Sequence, residues 1–336
     1  MKDLIKKLTG AFGPSGSEER IRRLIREEIE GSGALKRKGA RLSVDPMGNL
    51  ILRVNEGAGR RVMLAAHMDE VGVMVTHVEE KGFLRFTNIG GLSTLGLAGR
   101  QVMFESGAAG VIGVDELEEK TRIPRLDKFF IDVGAPDRAS CPVKVGDAAC
   151  FVSAFLEAGG RLAAKAMDDR IGCAVLLRVI GELEKTPHDI SFVFTVQEEV
   201  GLRGAAASGY GVDPELAVAV DITDTGDTPE HTPMAVCLGG GPAIKVKDSG
   251  MIAHVGVKEW LVRSAEKAGV DFQLEVLSGG TTDARAIQTS RAGVPAGCLS
   301  IPCRYAHTPS ELVDPADAEG AVKLLLHALS RPVEGV

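Results

Sequence analysis

Continuous apolar runs alternate along the chain with segments whose apolar residues recur at helical spacing. Short apolar runs of this kind are typical of strands buried on both faces of a parallel sheet. The runs are RVMLAA at 61–66, ISFVFTV at 190–196, LAVAV at 216–220 and AGCLSIP at 296–302. Helices are predicted at 169–185, 255–268, 282–291 and 316–329. The alternation predicts an α/β protein.

The first 30 or so residues predict two further helices. Pro14, Ser15 and Gly16 break the first helix, and Ser17 followed by acidic residues is a typical start for the second. A turn is then predicted at 45–49 between two extended runs, because Asp, Pro, Gly and Asn favour turns.

The pattern changes after residue 71. From there to about residue 162 the sequence predicts short strands, glycines and turns, including a hairpin around Glu80, Lys81 and Gly82. A single β-rich block between α/β segments favours an insertion over one mixed sheet. We therefore expect an all-β domain at 71–162, inserted into a discontinuous α/β domain made of 1–70 and 163–336.

Polar residues that can bind metals follow the apolar runs. His67 follows the first run, Glu198 and Glu199 follow the second, Asp221 follows the third, and His307 lies a few residues beyond the fourth. In open α/β sheets, ligands bind outside the carboxyl ends of the strands. The sequence thus predicts a metal site at this edge.

Asp69 and Asp168 have more than one interpretation. Residues two apart on an extended segment face the same way, so Asp69 can accept a hydrogen bond from the imidazole of His67. Asp168 and Asp169 open a predicted helix, which one of them could cap. A carboxylate can instead bridge two cations, and we assign that role to Asp168 because a two-metal site needs a bridging ligand.

Glu198 and Glu199 are adjacent, and adjacent residues on a regular strand point to opposite faces. Both can reach one site only if the strand has already ended, as Val200 and Gly201 suggest. One carboxylate could then bind metal while the other serves as a general base. Ligands made of nitrogen and oxygen, without sulfur, suit zinc, cobalt or manganese. His231, in a loop rich in threonine and aspartate, is a weaker candidate for the site.

The composition and charge of the chain argue against some classes of binding partner. The formal net charge of −7 argues against nucleic acid and gives no attraction to an anionic membrane. No run approaches the ~18 apolar residues of a membrane span, and none at the N-terminus is long enough for a signal peptide. Six cysteines without a CxxC pair are expected to be reduced. We therefore expect a cytoplasmic protein.

Seven motifs together resemble the TET-type aminopeptidases, the glutamyl/leucyl aminopeptidase family also labelled cellulase M-like. The resemblance covers essentially the whole chain and depends on the order and combination of the motifs. They are AAHMDEVGVMV (65–75), AMDDRIGC (166–173), VQEEVGLRGA (196–205), VDITDTGDTP (220–229), GPAIKVKDSGMIAH (241–254), GGTTDARAIQTSRAGVP (279–295) and IPCRYAHTPSE (301–311).

The resemblance implies a mixed, largely parallel sheet flanked by helices, as in zinc peptidases, with an inserted β-barrel-like domain that makes dimer contacts. It implies that Glu198 is the general base and that Asp69 supports His67. It also implies that the peptide bond between Asp168 and Asp169 is cis. Two divalent metal ions, zinc or cobalt with manganese as a further option, would be held by His67, Asp168 and Asp221 and by Asp168, Glu199 and His307.

The activity that this resemblance implies is removal of N-terminal residues from short peptides, by dimers that assemble into a dodecamer. Glycoside hydrolysis is an alternative, suggested by the cellulase label, and needs two carboxylates about 5–10 Å apart. A non-catalytic assembly protein is a third hypothesis, which loss of a ligand or of the base would favour; none is lost. The preferred N-terminal residue does not follow from the motifs.

Overall fold

The computed structural model describes residues 1–37, 39–116, 123–230 and 232–336, and His231 lies outside these ranges. The helices are α1 (Lys2–Thr9), α2 (Glu19–Gly31), α3 (Met167–Glu182), α4 (Arg203–Val212), α5 (Val255–Ala268), α6 (Asp283–Gln288) and α7 (Pro315–Leu329). The strands are β1 (Arg41–Val44), β2 (Leu50–Val54), β3 (Arg61–His67), β4 (Gly72–Val78), β5 (Leu84–Ile89), β6 (Gln101–Phe104), β7 (Ala109–Val114), β8 (Phe129–Asp132), β9 (Ala148–Phe151), β10 (Leu156–Ala158), β11 (Arg161–Ala164), β12 (Asp189–Thr195), β13 (Leu216–Thr223), β14 (Ala243–Lys247), β15 (Gln273–Val276), β16 (Ala296–Arg304) and β17 (Glu311–Val313).

The larger sheet is mixed and has parallel strands at its centre. Its order is β1-β2-β12-β3-β13-β16-β17-β11-β10, and β14 joins β16 to β15 beside this path. The four central strands β12, β3, β13 and β16 run parallel to one another, with antiparallel pairs on both sides. The predicted fold class and the four predicted central strands are confirmed.

Helices cover both faces of this sheet because its strands are apolar on both. On β3, Val62 and Leu64 belong to the main core, which α1, α2, α3, α5 and α7 also build. The alternate residues Met63 and Ala65 belong to a smaller core with Ile287 of α6. Successive strand residues point to opposite faces, so a continuous apolar run indicates burial on both.

The β-rich block forms a closed antiparallel barrel. Its order is β4-β5-β8-β7-β6-β9, and β4 pairs with β9 to close the ring. The barrel has a hydrophobic core of its own, which includes Leu84, Phe104 and Ile131. After β9 the chain returns to the larger sheet, where β11 pairs with β17 and β10 pairs with β11. The predicted barrel is confirmed.

Helix α4 was not predicted from the sequence. Its residues, RGAAASGYGV, are mostly small, so they offer little contrast between an apolar and a polar face.

Six cysteines are free, as expected. Across the part of the chain that the structure describes, no helix is both long and apolar enough to cross a membrane.

Candidate metal centre

The central strands bring the predicted ligands to one edge of the sheet. His67 is the last residue of β3 and pairs in register with Thr195, the last residue of β12. Asp221 lies near the end of the neighbouring strand β13, and His307 follows β16. Because these four strands are parallel neighbours, their carboxyl ends meet at one place.

Asp168 lies between the two histidines. Its Oδ1 is 2.9 Å from His67 Nε2, and its Oδ2 is 3.2 Å from His307 Nε2. Asp221 Oδ1 is 3.9 Å from His67 Nε2, and Glu199 Oε2 is 3.4 Å from His307 Nε2. The structure thus forms two triads that share Asp168, and within each triad the potential ligand atoms lie within 4.8 Å of one another.

The two aspartates that open α3 have separate roles. The peptide bond between Asp168 and Asp169 is cis, as the resemblance implied. Asp169 caps the helix, because its Oδ1 accepts from the backbone N–H of Gly172 at 3.0 Å. Its other oxygen accepts from the backbone N–H of His67 at 3.2 Å. Asp168 is thereby left to face both histidines.

Asp69 lies behind His67 and is completely buried. The Nδ1 atom of His67 is 3.2 Å from the backbone oxygen of Asp69 and 3.5 Å from its Oδ1. Asp69 Oδ1 also accepts from the backbone N–H of Glu198 at 3.0 Å. Asp69 therefore contacts both the first histidine and the loop that carries the two glutamates.

Glu311, for which the sequence predicted no role, lies in β17 and is 1% exposed. Its Oε2 accepts from the backbone N–H of Asp168 at 3.0 Å, and its Oε1 accepts from that of His307 at 2.8 Å. Glu311 thus joins the shared aspartate to the second histidine. The position after the motif's Pro and Ser gave no sign of this role, because both donors are backbone groups.

Burial gives the site unusual electrostatics. It raises the pKa of Glu199 and of Asp221 to about 8 each, and the charge of Asp168 adds to both shifts. Although burial opposes it, hydrogen bonds from His307 and His67 lower the pKa of Asp168. Glu199 Oε1 is buried without a hydrogen-bond partner among the described residues. A buried acceptor without a donor, beside further carboxylates and imidazoles, fits divalent cations.

The M42 glutamyl aminopeptidase family model matches residues 48–324. The chain belongs to this family. A relative from Acetivibrio thermocellus is 47% identical over 331 residues, 98% of each chain. The structure of an aminopeptidase from the archaeon Desulfurococcus kamchatkensis matches with 39% identity and a TM-score of 0.92, covering 99% of this chain and 97% of that one.

A third similar protein is the TET1 peptidase of Pyrococcus horikoshii. It is 34% identical, with a TM-score of 0.88, and the match covers 98% of this chain and 99% of the other. That peptidase can assemble into a tetrahedron or a large octahedral shell. Membership in the M42 family supports a metal-dependent hydrolase of the aminopeptidase class, and the residue clusters described above provide a candidate metal site.

In this member of the M42 family, a cavity of about 1030 Å³ opens over the two triads. The loop after β5 of the barrel forms one wall, where Gly90 and Gly91 leave room for the side chains of Glu199 and His307. A Cβ at Gly90 would lie 3.1 Å from Glu199 Oε2, and one at Gly91 would lie 2.8 Å from His307 Nδ1. The barrel thus contributes directly to the cavity.

The loop before α6 both caps that helix and lines the cavity. Thr282 caps α6, accepting from the backbone N–H of Ala284 at 3.4 Å. Gly280, Thr281 and Thr282 also line the cavity.

Two cationic side chains that the sequence did not single out also line the cavity. Lys245 is 1% exposed, and its Nζ lies 2.5 Å from Glu275 Oε1. Burial alone would lower the pKa of Lys245, but the charge of Glu275 raises it. Arg285, at the start of α6, is exposed, and among the described residues it has no ion-pair partner within 4.0 Å.

Proposed function

We propose that the protein is an aminopeptidase that removes N-terminal residues from short peptides with two metal ions. The observation that carries the proposal is the shared carboxylate of Asp168, whose two oxygens face His67 and His307. A carboxylate between two histidines is suited to bridge a pair of cations. Membership in the M42 family and the aminopeptidase from Desulfurococcus kamchatkensis support the substrate class.

Each triad would hold one divalent ion. His67, Asp168 and Asp221 would bind the first, and Asp168, Glu199 and His307 the second. Zinc, cobalt and manganese all suit these nitrogen and oxygen donors. When bound, the ions supply a Lewis acid for the scissile carbonyl and lower the pKa of water toward neutrality. Three ligand carboxylates leave one of the four positive charges for the substrate or a hydroxide.

Glu198 is the proposed general base. It lines the cavity, is half-buried and belongs to neither triad, so its carboxylate is free to move a proton. It would take a proton from the attacking water and deliver it to the leaving amine. Asp69 would act through others, since it contacts the His67 ring and the backbone N–H of Glu198.

The test is the Glu198→Gln variant, assayed on aminoacyl-p-nitroanilides. It should keep two metal ions per chain and lose activity by about 10²–10⁴-fold, the usual contribution of a general base. Glu182→Gln is a matched control, because Glu182 is exposed and pairs with Arg178. Near-normal turnover by Glu198→Gln would refute the assigned role. Removal of metal with a chelator should abolish activity, and zinc, cobalt or manganese should restore it.

Glycoside hydrolysis is less well supported. Two histidines lie within 4 Å of the site carboxylates, an arrangement that a metal-free pair of acids does not need. Among the described residues that line the cavity, none is Phe, Tyr or Trp, the side chains on which sugars stack. Activity on a glucan that survives a chelator, without activity on peptides, would favour this alternative.

We further propose that the β-rich block predicted at 71–162, whose barrel strands lie between 72 and 151, makes the dimer contacts. The rest of the chain, 1–70 with 163–336, would be the discontinuous catalytic domain, and the dimers would build a dodecamer. The assembly of the Pyrococcus horikoshii TET1 peptidase supports this proposal. Light scattering on the purified protein separates a dimer from a dodecamer. A monomer at working concentration would contradict it.

A further inference from the structure

The loop after β12, residues 197–199, is held by its backbone N–H groups. Glu198 and Glu199 lie on this loop, and three consecutive N–H groups each donate to a carboxylate oxygen from elsewhere in the chain. We propose that the N-terminal turn at 13–18 positions this loop, with Ser15 and Glu18 as positioning residues. The inference rests on the proposed function, in which Glu198 is the general base and Glu199 is a metal ligand.

Ser15 acts through Asp69. Asp69 Oδ1 accepts from the N–H of Glu198 at 3.0 Å, and Oδ2 accepts from that of Glu199 at 3.2 Å. The Ser15 hydroxyl donates to the same Oδ2 at 2.6 Å. Ser15 is 6% exposed and Asp69 is completely buried, so water cannot easily replace the hydroxyl. Ser15 therefore fixes the orientation of the carboxylate that holds both glutamates.

Glu18 acts on the loop directly. Its Oε1 accepts from the N–H of Gln197 at 3.3 Å and from that of Gly16, within the turn itself, at 2.7 Å. Gln197 has a φ of +55°, in the left-handed region that residues other than glycine seldom adopt. One oxygen of Glu18 thus links the N-terminal turn to the residue of the loop whose backbone is in the left-handed region.

The turn itself is anchored to the body of the protein. Ser15 donates its backbone N–H to the carbonyl of Glu70 at 3.3 Å, and Glu70 donates its own to the carbonyl of Gly13 at 3.1 Å. The Glu70 carboxylate accepts from Lys165 Nζ at 2.7 Å, and the same Nζ donates to the carbonyl of Ala11 at 3.1 Å. These bonds give the turn a defined position from which to hold the loop.

Neither Ser15 nor Glu18 lines the cavity. Their loss should therefore affect the chemistry of the loop more than the binding of the peptide. Residues that orient metal ligands typically contribute 10–100-fold to affinity or activity. A displacement of about 1 Å in a reacting group can cost ~10²-fold in rate.

The experiment compares Ser15→Ala and Glu18→Ala with the conservative Glu18→Gln in the full-length enzyme. Both alanine variants should lower kcat by about 10–100-fold while KM changes by less than about threefold. Glu18→Gln should stay near the wild-type kcat, because its amide oxygen can still accept both N–H groups. Matched controls are Ser17→Ala and Glu19→Ala in the same segment, since Glu19 is exposed and pairs with Arg22.

A second measurement does not depend on turnover. Zinc titration of the metal-free protein by calorimetry should show about 10–100-fold weaker binding at one of two sites in both alanine variants, because Glu199 is a proposed ligand. Wild-type kcat and zinc affinity in both variants, with only a lower Tm, would overturn the inference and leave the turn a structural element.

The failure of the inference is distinguishable from failure of the proposed function. A wild-type enzyme that cleaves no aminoacyl substrate with zinc, cobalt or manganese refutes the aminopeptidase proposal, while the zinc titration still tests the turn. If Glu18→Ala does not fold, Ser15→Ala decides the result, because it removes one hydroxyl and leaves the backbone bonds of the turn intact.

Discussion

Glu311 offers a sharp test of how the two triads are joined. It is buried, and each of its oxygens accepts one backbone N–H, from Asp168 at 3.0 Å and from His307 at 2.8 Å. The change Glu311→Gln keeps the shape of the side chain but replaces one oxygen with a donor NH2. Whichever way the amide turns, one of the two backbone N–H groups then faces another donor and loses its acceptor.

The magnitude follows from that lost bond. A buried donor without a partner costs about 1–3 kcal/mol, so Glu311→Gln should lower the free energy of unfolding of the metal-free protein by about that amount. Glu311→Ala leaves both N–H groups without an acceptor and should cost roughly twice as much. Because the two groups belong to proposed ligands, zinc affinity should fall by about 10–100-fold.

The assay is urea unfolding of the metal-free protein, followed by zinc titration and activity with saturating zinc. Glu182→Gln is the control, since Glu182 is exposed at the surface and pairs with Arg178. We expect excess zinc to restore part of the activity of Glu311→Gln. If this variant matches the wild type in both its free energy of unfolding and its zinc affinity, the two hydrogen bonds do not hold the proposed ligands in place.

Three other predictions follow from charged side chains, two of which line the cavity. Lys245→Met should lower the free energy of unfolding in urea by about 3–5 kcal/mol, because it leaves the charge of Glu275 buried and unpaired. The double variant Lys245→Met with Glu275→Leu should lose less stability, and equal losses in the two variants would contradict this. Arg285 lines the cavity and has no acidic partner among the described residues, so Arg285→Glu should favour lysyl over glutamyl p-nitroanilides. The ratio of their kcat/KM values should change by about 10-fold, or ~1.4 kcal/mol, and an unchanged ratio would exclude a contact between Arg285 and the substrate. Hydrogen bonds from Arg304 lower the pKa of Asp227, so the folded protein binds fewer protons there than the unfolded chain and the pair stabilises above about pH 3.9. Asp227→Asn should therefore have a lower Tm than the wild type at pH 7, and the gap should narrow below about pH 4; a constant gap would contradict this.

The parts of the fold that depend on local pattern could be predicted from the sequence. The four central strands are apolar on both faces, and helix α5 was predicted with the bounds that it has, 255–268. Helix α4 was not predicted because its small residues show almost no helical periodicity of apolar and polar positions. Strands β10 and β11 return to the larger sheet because β11 pairs with β17, about 150 residues later in the chain. No local sequence pattern predicts such a distant pairing.

The same distinction applies to the candidate site. His67, Glu199 and Asp221 could be located because each follows or ends a strand whose apolar run is visible. The division of roles between Asp168 and Asp169 could not be derived from the sequence, since both are aspartates at a helix start. Side chains that bond to the backbone of distant ligands give no sequence pattern at all, as Glu311 shows.

Those supporting side chains share a physical property that explains their chemistry. Asp69, Asp169 and Glu311 are buried carboxylates, and each accepts from a backbone N–H of a proposed ligand or of the proposed base. A backbone N–H is a neutral hydrogen-bond donor to the carboxylate, whereas a lysine or arginine there would bring a positive charge beside the candidate metal site. Lys245, the buried cation at the cavity, is paired with Glu275. Anchoring through neutral donors therefore fixes the proposed ligands while leaving the negative charge of the site available to divalent cations.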